Sequence, residues 1–495
     1  MCTGSGGTAQ ANATVAVSNG AAGLRGNVDS SLVQVGGSAK VYVFAGNVTP
    51  DDFDGDSGDP LFAVAVEQNV NACTFGYRLP GLAAGQYTVA FTSQAQNDRP
   101  GAQDTLTFVG TSTVAVGSSG QTLKDFAPTS ILRVGPGKTY STISAAAAAA
   151  TAGSVIEVDT GTYNDDVVVW RDDRVVVRGV GSGRAHVHAT KTINDVSGDD
   201  KNNGKGIFLV QADGMRIENV ELSGAVVPDD NGAGIRNEGR DLTVCNGYFH
   251  DNQNGFLGNA TGTLTFEYST FAHNGTGDGF THNVYVDGGD KLIFRYNYSH
   301  HANTGHTLKT RAAENYVLYN RIMDEADGTS SYTVDVPNGG LTFLIGNLLQ
   351  QGPDTDNSAI VAYGAESLSS GRTHALYAVN NTVVNDRGSG TFFQVASGAS
   401  VLRLVNNLLV GSGTVASGKT ADSQGNIQTS SAGLVDQAGF DYHLTSASPA
   451  RNAGVAPGAA GSFDLTPVFQ YQHPAHTEAR AAVGTIDVGA YELGP

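Results

Sequence analysis

Between Met215 and Leu409 the chain repeats one small unit: a strand, an Asn, a second strand, a variable loop, a third strand and a small turn. The asparagines are Asn219, Asn246, Asn297, Asn320, Asn347, Asn381 and Asn407, with Tyr268 standing where one more would fall, at intervals of 22 to 34 residues. A unit of this length that recurs in fixed order marks a stacked-repeat architecture. Each unit carries short alternating apolar runs and lacks the 3.6-residue apolar period of a helix, so the repeat is a coil of strands. Asn tolerates the left-handed backbone that a sharp turn needs, and its amide can bond to the Asn stacked above it. Stacked coils bury one continuous core. The composition agrees: 65 Gly, 14 Pro and only 15% charged residues suit many short strands and turns, not long helices or disorder.

Upstream lies the chain's one good short helix, Ser141-Thr142-Ile143-Ser144 followed by Ala145 to Ala150, with Ser141 as the expected N-cap. A strand ending in a Gly-x-Tyr step follows, Val155-Ile156-Glu157-Val158-Asp159-Thr160-Gly161-Thr162-Tyr163. This helix-then-strand opening, with the Asn ladder, resembles the right-handed parallel β-helix (pectin-lyase-like) superfamily, in which a capping helix covers the first coil. The expected fold is therefore all-β: a right-handed parallel β-helix with a short capping helix, preceded by a small β-sandwich.

The expected organisation is a linker over residues 1–23, a β-sandwich over 24–128, the β-helix over 129–432 and a C-terminal segment over 433–495 that closes the last coil. In the second of these, runs such as Ala39-Lys40-Val41-Tyr42-Val43-Phe44 alternate between Gly, Asn and Asp turns. The stretch Leu79 to Val89 resembles one hairpin of carboxypeptidase-regulatory-like modules. Asp52, Asp54, Asp56 and Asp59 share one Gly-containing loop, which suits either a calcium ion or a solvated acidic surface. Met1-Cys2-Thr3-Gly4-Ser5-Gly6-Gly7 resembles the start of a bacterial lipoprotein whose signal peptide has been replaced by Met. That resemblance implies an exported protein, periplasmic or at the cell surface, tied to the outer membrane only by lipid on Cys2. Cys73 and Cys245 read as buried thiols, because three cysteines give no disulfide framework and no zinc spacing. A net charge of −19 argues against nucleic acid as a partner. A monomer is expected.

Aligning the third strands by apolar parity gives an inward column of Ile235, Phe256, Val284, Leu308 and Val334. Beside it runs an outward column of Arg236, Leu257, Tyr285, Lys309 and Asp335, then a second of Glu238, Asn259, Asp287, Arg311 and Pro337. Stacked strands lie about 4.8 Å apart, so Tyr285, Asp287, Lys309, Arg311 and Asp335 should share one patch. His282 and His306 precede these strands, and Tyr332 takes the same place in the next coil. Across the loop stand His250, His301 and Asp324, each four residues past a ladder position, with His300 and Glu325 adjacent. The bland alternatives are exposed ion pairs (Lys309–Asp335, Arg311–Asp287), polar turn residues and solvated loop acids. The concentration of charge and imidazole in two or three coils favours a site.

Three chemistries fit such a patch. β-Elimination of a uronic-acid polysaccharide needs a cation for the C6 carboxylate, a base for the C5 proton and an acid for the leaving oxygen. Arg311 would neutralise, Lys309 or His306 would be the base, and Tyr285 or His282 the acid. The Lys/Arg pair resembles β-helix lyases acting on alginate and chondroitin, although there the two lie on different coils; a C5-epimerase needs nearly the same parts. The second chemistry is glycoside hydrolysis by two carboxylates among Asp287, Asp335, Asp324 and Glu325. The third reading is a non-catalytic glycan-binding or surface structural protein. The remaining groups, Arg236, Tyr332, His301, Asp287, Asp324 and Glu325, would line the polysaccharide groove. No cofactor is required by this reading, with calcium left open.

Overall fold

The structure, a computed structural model, describes residues 22–34, 37–48, 59–95, 98–101, 104, 106–108, 113–193, 205–481 and 483–494. It divides into two compact units. The first comprises the residues up to Asn69 together with Thr74–Ala127. Its strands form two small sheets, one built on Gly23–Val28 and Phe75–Pro80, the other on Lys40–Ala45 and Gly85–Thr92. They share a core of Leu24, Val41, Val43, Tyr77, Val89 and Phe91. Asp52, Asp54 and Asp56 lie outside the described residues, as does Cys2, while Asp59 is exposed and paired with Arg99 at 2.6 Å.

The second unit, Pro128–Pro495 with the short piece Val70–Cys73, is a parallel β-helix. Each turn supplies three strands, and each strand pairs in parallel with its counterpart one turn on, from Ile131–Val134 to Ile427–Thr429. The capping helix is Ile143–Ala149; Thr142, not Ser141, is its N-cap, accepting from Ala145 N–H at 3.2 Å. Ile143 and Ala146 bury against the first coils. Inside, Ile235, Phe256, Val284, Leu308 and Val334 are fully buried and in register, as the apolar parity requires.

The asparagine repeat proves to be two adjacent columns. Asn219, Asn246, Tyr268, Tyr296, Tyr319, Asn380 and Asn406 hold φ between 51° and 62°, and form the left-handed column. One residue later comes a ladder of Asn297, Asn320, Asn347, Asn381, Asn407 and Asn426, the first five fully buried and none of the six left-handed. The backbone N–H of each of the first five donates to Oδ1 of the Asn one coil on, at 2.8 to 3.1 Å. Each of the first five also donates from Nδ2 to a carbonyl of the preceding coil, Asn320 to Phe294 at 2.8 Å. The ladder thus satisfies buried polar groups, and the neighbouring column makes the turn. Asn320→Ala would leave the Asn297 N–H and the Phe294 carbonyl buried and unpaired, and should destabilise the chain by about 3 kcal/mol in denaturant unfolding.

Cys73 and Cys245 are joined in a disulfide, not free thiols. Their separation of 172 residues hides the pair from any spacing rule. The segment after residue 433 belongs to the second unit. It packs along the side of the coils, with Tyr442, Tyr471 and Tyr491 against Tyr298, Met323, Leu348 and Leu408. Val468 N–H donates to Tyr319 Oη at 3.2 Å, and Phe469 contacts the rings of Tyr296 and Tyr319.

Candidate functional site

Three consecutive third strands, beginning at Val284, Leu308 and Val334, place Tyr285, Lys309 and Asp335 side by side in register. Leu308 and Thr310 point inward and are buried, which leaves Lys309 and Arg311 for the outer face. Lys309 Nζ lies 3.9 Å from Asp335 Oδ2 and 5.2 Å from the Tyr285 ring centre. Arg311 also lies over Tyr285, and its Nε–H donates to the phenol oxygen at 3.1 Å.

A loop beyond Tyr363 completes the patch. Glu366 receives both Arg311 Nη groups, at 2.8 and 2.9 Å, and Lys309 Nζ at 3.4 Å. Arg311 Nη1 also reaches Asn338, and Arg372 Nη1 donates to the Arg311 carbonyl at 2.7 Å. Its hydrogen bonds with Arg311 hold Glu366 below the usual carboxylate range. Asp335 behaves oppositely. Burial pushes its carboxyl up to about 7, and the Lys309 charge opposes this only in part. Its Oδ1 is buried without a hydrogen-bond partner.

The two histidines form a stack under this patch, ring centres 4.6 Å apart and planes 10° from parallel. His282 N–H donates to Asn254 Oδ1, His306 N–H to His282 Nδ1 at 2.9 Å, and Tyr332 N–H to His306 Nδ1 at 3.2 Å. Because each Nδ1 accepts, each ring carries its proton on Nε2. The His306 Nε2–H therefore faces Asp335 Oδ2, 3.4 Å away. Burial, then the charge of Lys309, drives His306 down to about 3; burial and then His306 drive His282 well below the ordinary range. Both rings are neutral donors, and the His306 Nε2–H is directed at the Asp335 carboxyl.

Of the other expected residues, Tyr332 stays beside this patch and the rest stand apart from its ion pairs. Asp287 is exposed on the strand of Tyr285, and Arg311 pairs with Glu366 in its place. Arg236 stands beyond Leu257 in the column, 3.9 Å from Glu238. Tyr332 contacts the His306 ring at 5.1 Å. Asp324 is fully buried and clips its own loop, accepting from Ser330 N–H and Thr355 Oγ1. Glu325 binds Tyr298 and Arg321. His301 lies at the start of the loop, bonded to Asp327 at 3.0 Å and to His300. His250 shares a column with His300 and not His301, because its Asn246 belongs to the left-handed column. Glu366, Asn338 and Arg372 escaped the sequence reading; following the chain past Tyr363 into its loop was the available signal for Glu366.

A family model described as a right handed beta helix region matches residues 190–344. Among solved structures, pectate lyase Pel9A is similar at TM-score 0.52 and 16% identity, covering 74% of this chain and 97% of its own. A pectin methylesterase from Aspergillus niger, in deglycosylated form, aligns at TM-score 0.25 and 14% identity, over 61% of this chain and 85% of its own. No curated protein matches the sequence. The chain has the right-handed parallel β-helix, pectin-lyase-like fold.

Proposed function

We propose that the patch around Lys309 binds a uronic-acid polysaccharide and cleaves it by β-elimination. The observation that carries this reading is the convergence of Lys309 and Arg311 on one carboxylate, that of Glu366. A bidentate guanidinium with an ammonium beside it is the arrangement a uronate C6 carboxylate requires. The substrate carboxylate takes the place of Glu366 on Arg311, and its negative charge is neutralised there, which acidifies the C5 proton. Lys309 passes a proton to Asp335, the nearby carboxyl whose proton affinity burial has raised, and then removes the C5 proton. The electron pair forms the C4–C5 double bond as the C4–O bond breaks. Tyr285, whose oxygen already accepts from Arg311, gives its proton to the departing oxygen. A shared fold with a pectate lyase supports this class of chemistry.

A second reading has one observation in its favour. Asp335 and Glu366 flank Lys309 with proton affinities pushed in opposite directions, the relation between the acid and the carboxylate partner of a glycosidase. Incubation with a panel of uronate polymers separates the readings. Elimination yields ultraviolet-absorbing unsaturated ends; new reducing ends without that absorbance mean hydrolysis, and neither means a binding protein. The Cys73–Cys245 disulfide supports an exported protein, with Cys2 as the proposed lipid anchor.

A further inference from the structure

We propose that His186, Glu221 and His250 form a binding site for a divalent transition-metal ion of the zinc class, apart from the Lys309 patch. The three residues come from three successive second strands. His186 sits directly opposite Glu221, while His250 reaches in from two residues past the Glu221 partner Tyr248. His250 Nε2 is 3.1 Å and His186 Nδ1 3.5 Å from Glu221 Oε1, and the three donor atoms lie within 4.8 Å of one another. Donors held 2.0–2.2 Å from one tetrahedral ion stand roughly 3.3–3.5 Å apart, so this trio closes on an ion with little movement.

The outer nitrogens are also placed. His186 Nε2 meets Ser223 Oγ at 2.8 Å, and His250 Nδ1 meets Asp251 Oδ2 at 2.6 Å. The Asp251 carboxylate accepts from His250 Nδ1–H and so leaves His250 Nε2 as a lone-pair donor, while Ser223 Oγ, shared with His188 Nδ1 at 2.9 Å, holds the His186 ring in place. The His250 ring is further pinned by stacking on Tyr248, 4.2 Å between centres. Arg184, the nearest cation, is engaged by the Asn246 carbonyl and side chain at 3.0 and 2.7 Å, which leaves Glu221 to the imidazoles. All three ligands are half-buried, so the fourth position opens to water.

A second histidine group, His273, His300 and His301, offers a contrast. There the Nδ1 atoms of His300 and His301 are bonded to each other at 2.6 Å and His301 Nε2 is bonded to Asp327 at 3.0 Å, so both nitrogens of His301 are already engaged. The structure therefore assigns the ion to the first group.

The test is calorimetric titration of the chelator-treated full chain with Zn(II), with Co(II) absorption as a spectroscopic check. One equivalent should bind. Glu221→Gln and His250→Ala should each weaken binding about 100-fold or more and alter the Co(II) bands. Asp251→Asn should weaken it roughly 10-fold. Asp251 is largely exposed at φ 54°, a conformation Asn adopts, so this variant folds even where the others fail. His301→Ala should bind as the parent does. No binding by the parent chain, or loss of binding in His301→Ala with retention in His250→Ala, overturns the assignment.

Discussion

Lys309→Ala should lower turnover on a uronate polymer by about 1,000-fold or more, with circular dichroism and thermal unfolding unchanged. The fold survives because Asp335, deprived of its ammonium partner, takes up a proton more readily still, and a neutral carboxyl is tolerated where it is buried. Arg311→Lys should cost nearly as much in kcat/KM as Arg311→Ala, since an ammonium cannot reproduce the paired bonds now made to Glu366. Glu366→Gln carries the sharper consequence. Glu366 now occupies the cations that the substrate carboxylate must reach, so removing its charge should lower KM about 10-fold, near the 1.4 kcal/mol of one modest ionic competitor. A rise in KM would show that Glu366 orients Arg311 and does not compete for it. Activity retained in Lys309→Ala would remove Lys309 as the base.

The part of this site that lies on strands was legible in the sequence. Apolar parity alone set Tyr285, Lys309 and Asp335 in one row, because a slip of one residue would have turned Leu308 and Val334 out of the core. The turns were less legible. Asn serves two different needs there, a left-handed backbone at Asn246 and a buried amide ladder at Asn320, and the two uses differ by one position. That offset hid the alignment of His250 with His300. Glu366 lies on a loop whose path has no periodicity, so no register argument could bring it to Arg311. The Cys73–Cys245 pair was hidden for the same reason, since it depends on where a short excursion from the first unit's sequence meets a coil.

Asp335→Asn should make the protein more stable above pH 7 while reducing its activity. The carboxyl titrates near 7 in the folded chain because burial outweighs the pull of Lys309, and near ~3.9 when unfolded. Between those values the folded state holds the proton and the unfolded state does not. The contribution of this one carboxyl to the parent's stability is therefore greatest below pH ~4 and falls as pH rises to 7, by up to about 4 kcal/mol, with no further change from this group beyond. Asn keeps the volume, its oxygen can accept from His306 Nε2–H, and it carries no charge to desolvate. Denaturant unfolding of both proteins at pH 4 and pH 9 measures the difference directly, since the acid sensitivity of the buried histidines is common to both. The advantage of the Asp335→Asn variant over the parent should be larger at pH 9 than at pH 4 by roughly 2–4 kcal/mol. A loss at pH 9 would mean that the contact with Lys309 outweighs burial, and Asp335 would then be an ordinary ion-pair partner. With the gain, the same substitution should lower turnover about 100-fold, because Lys309 loses the group that takes its proton. A residue that costs stability when charged and supports turnover when present is in the position expected of a catalytic site, where function is held at the expense of folding free energy.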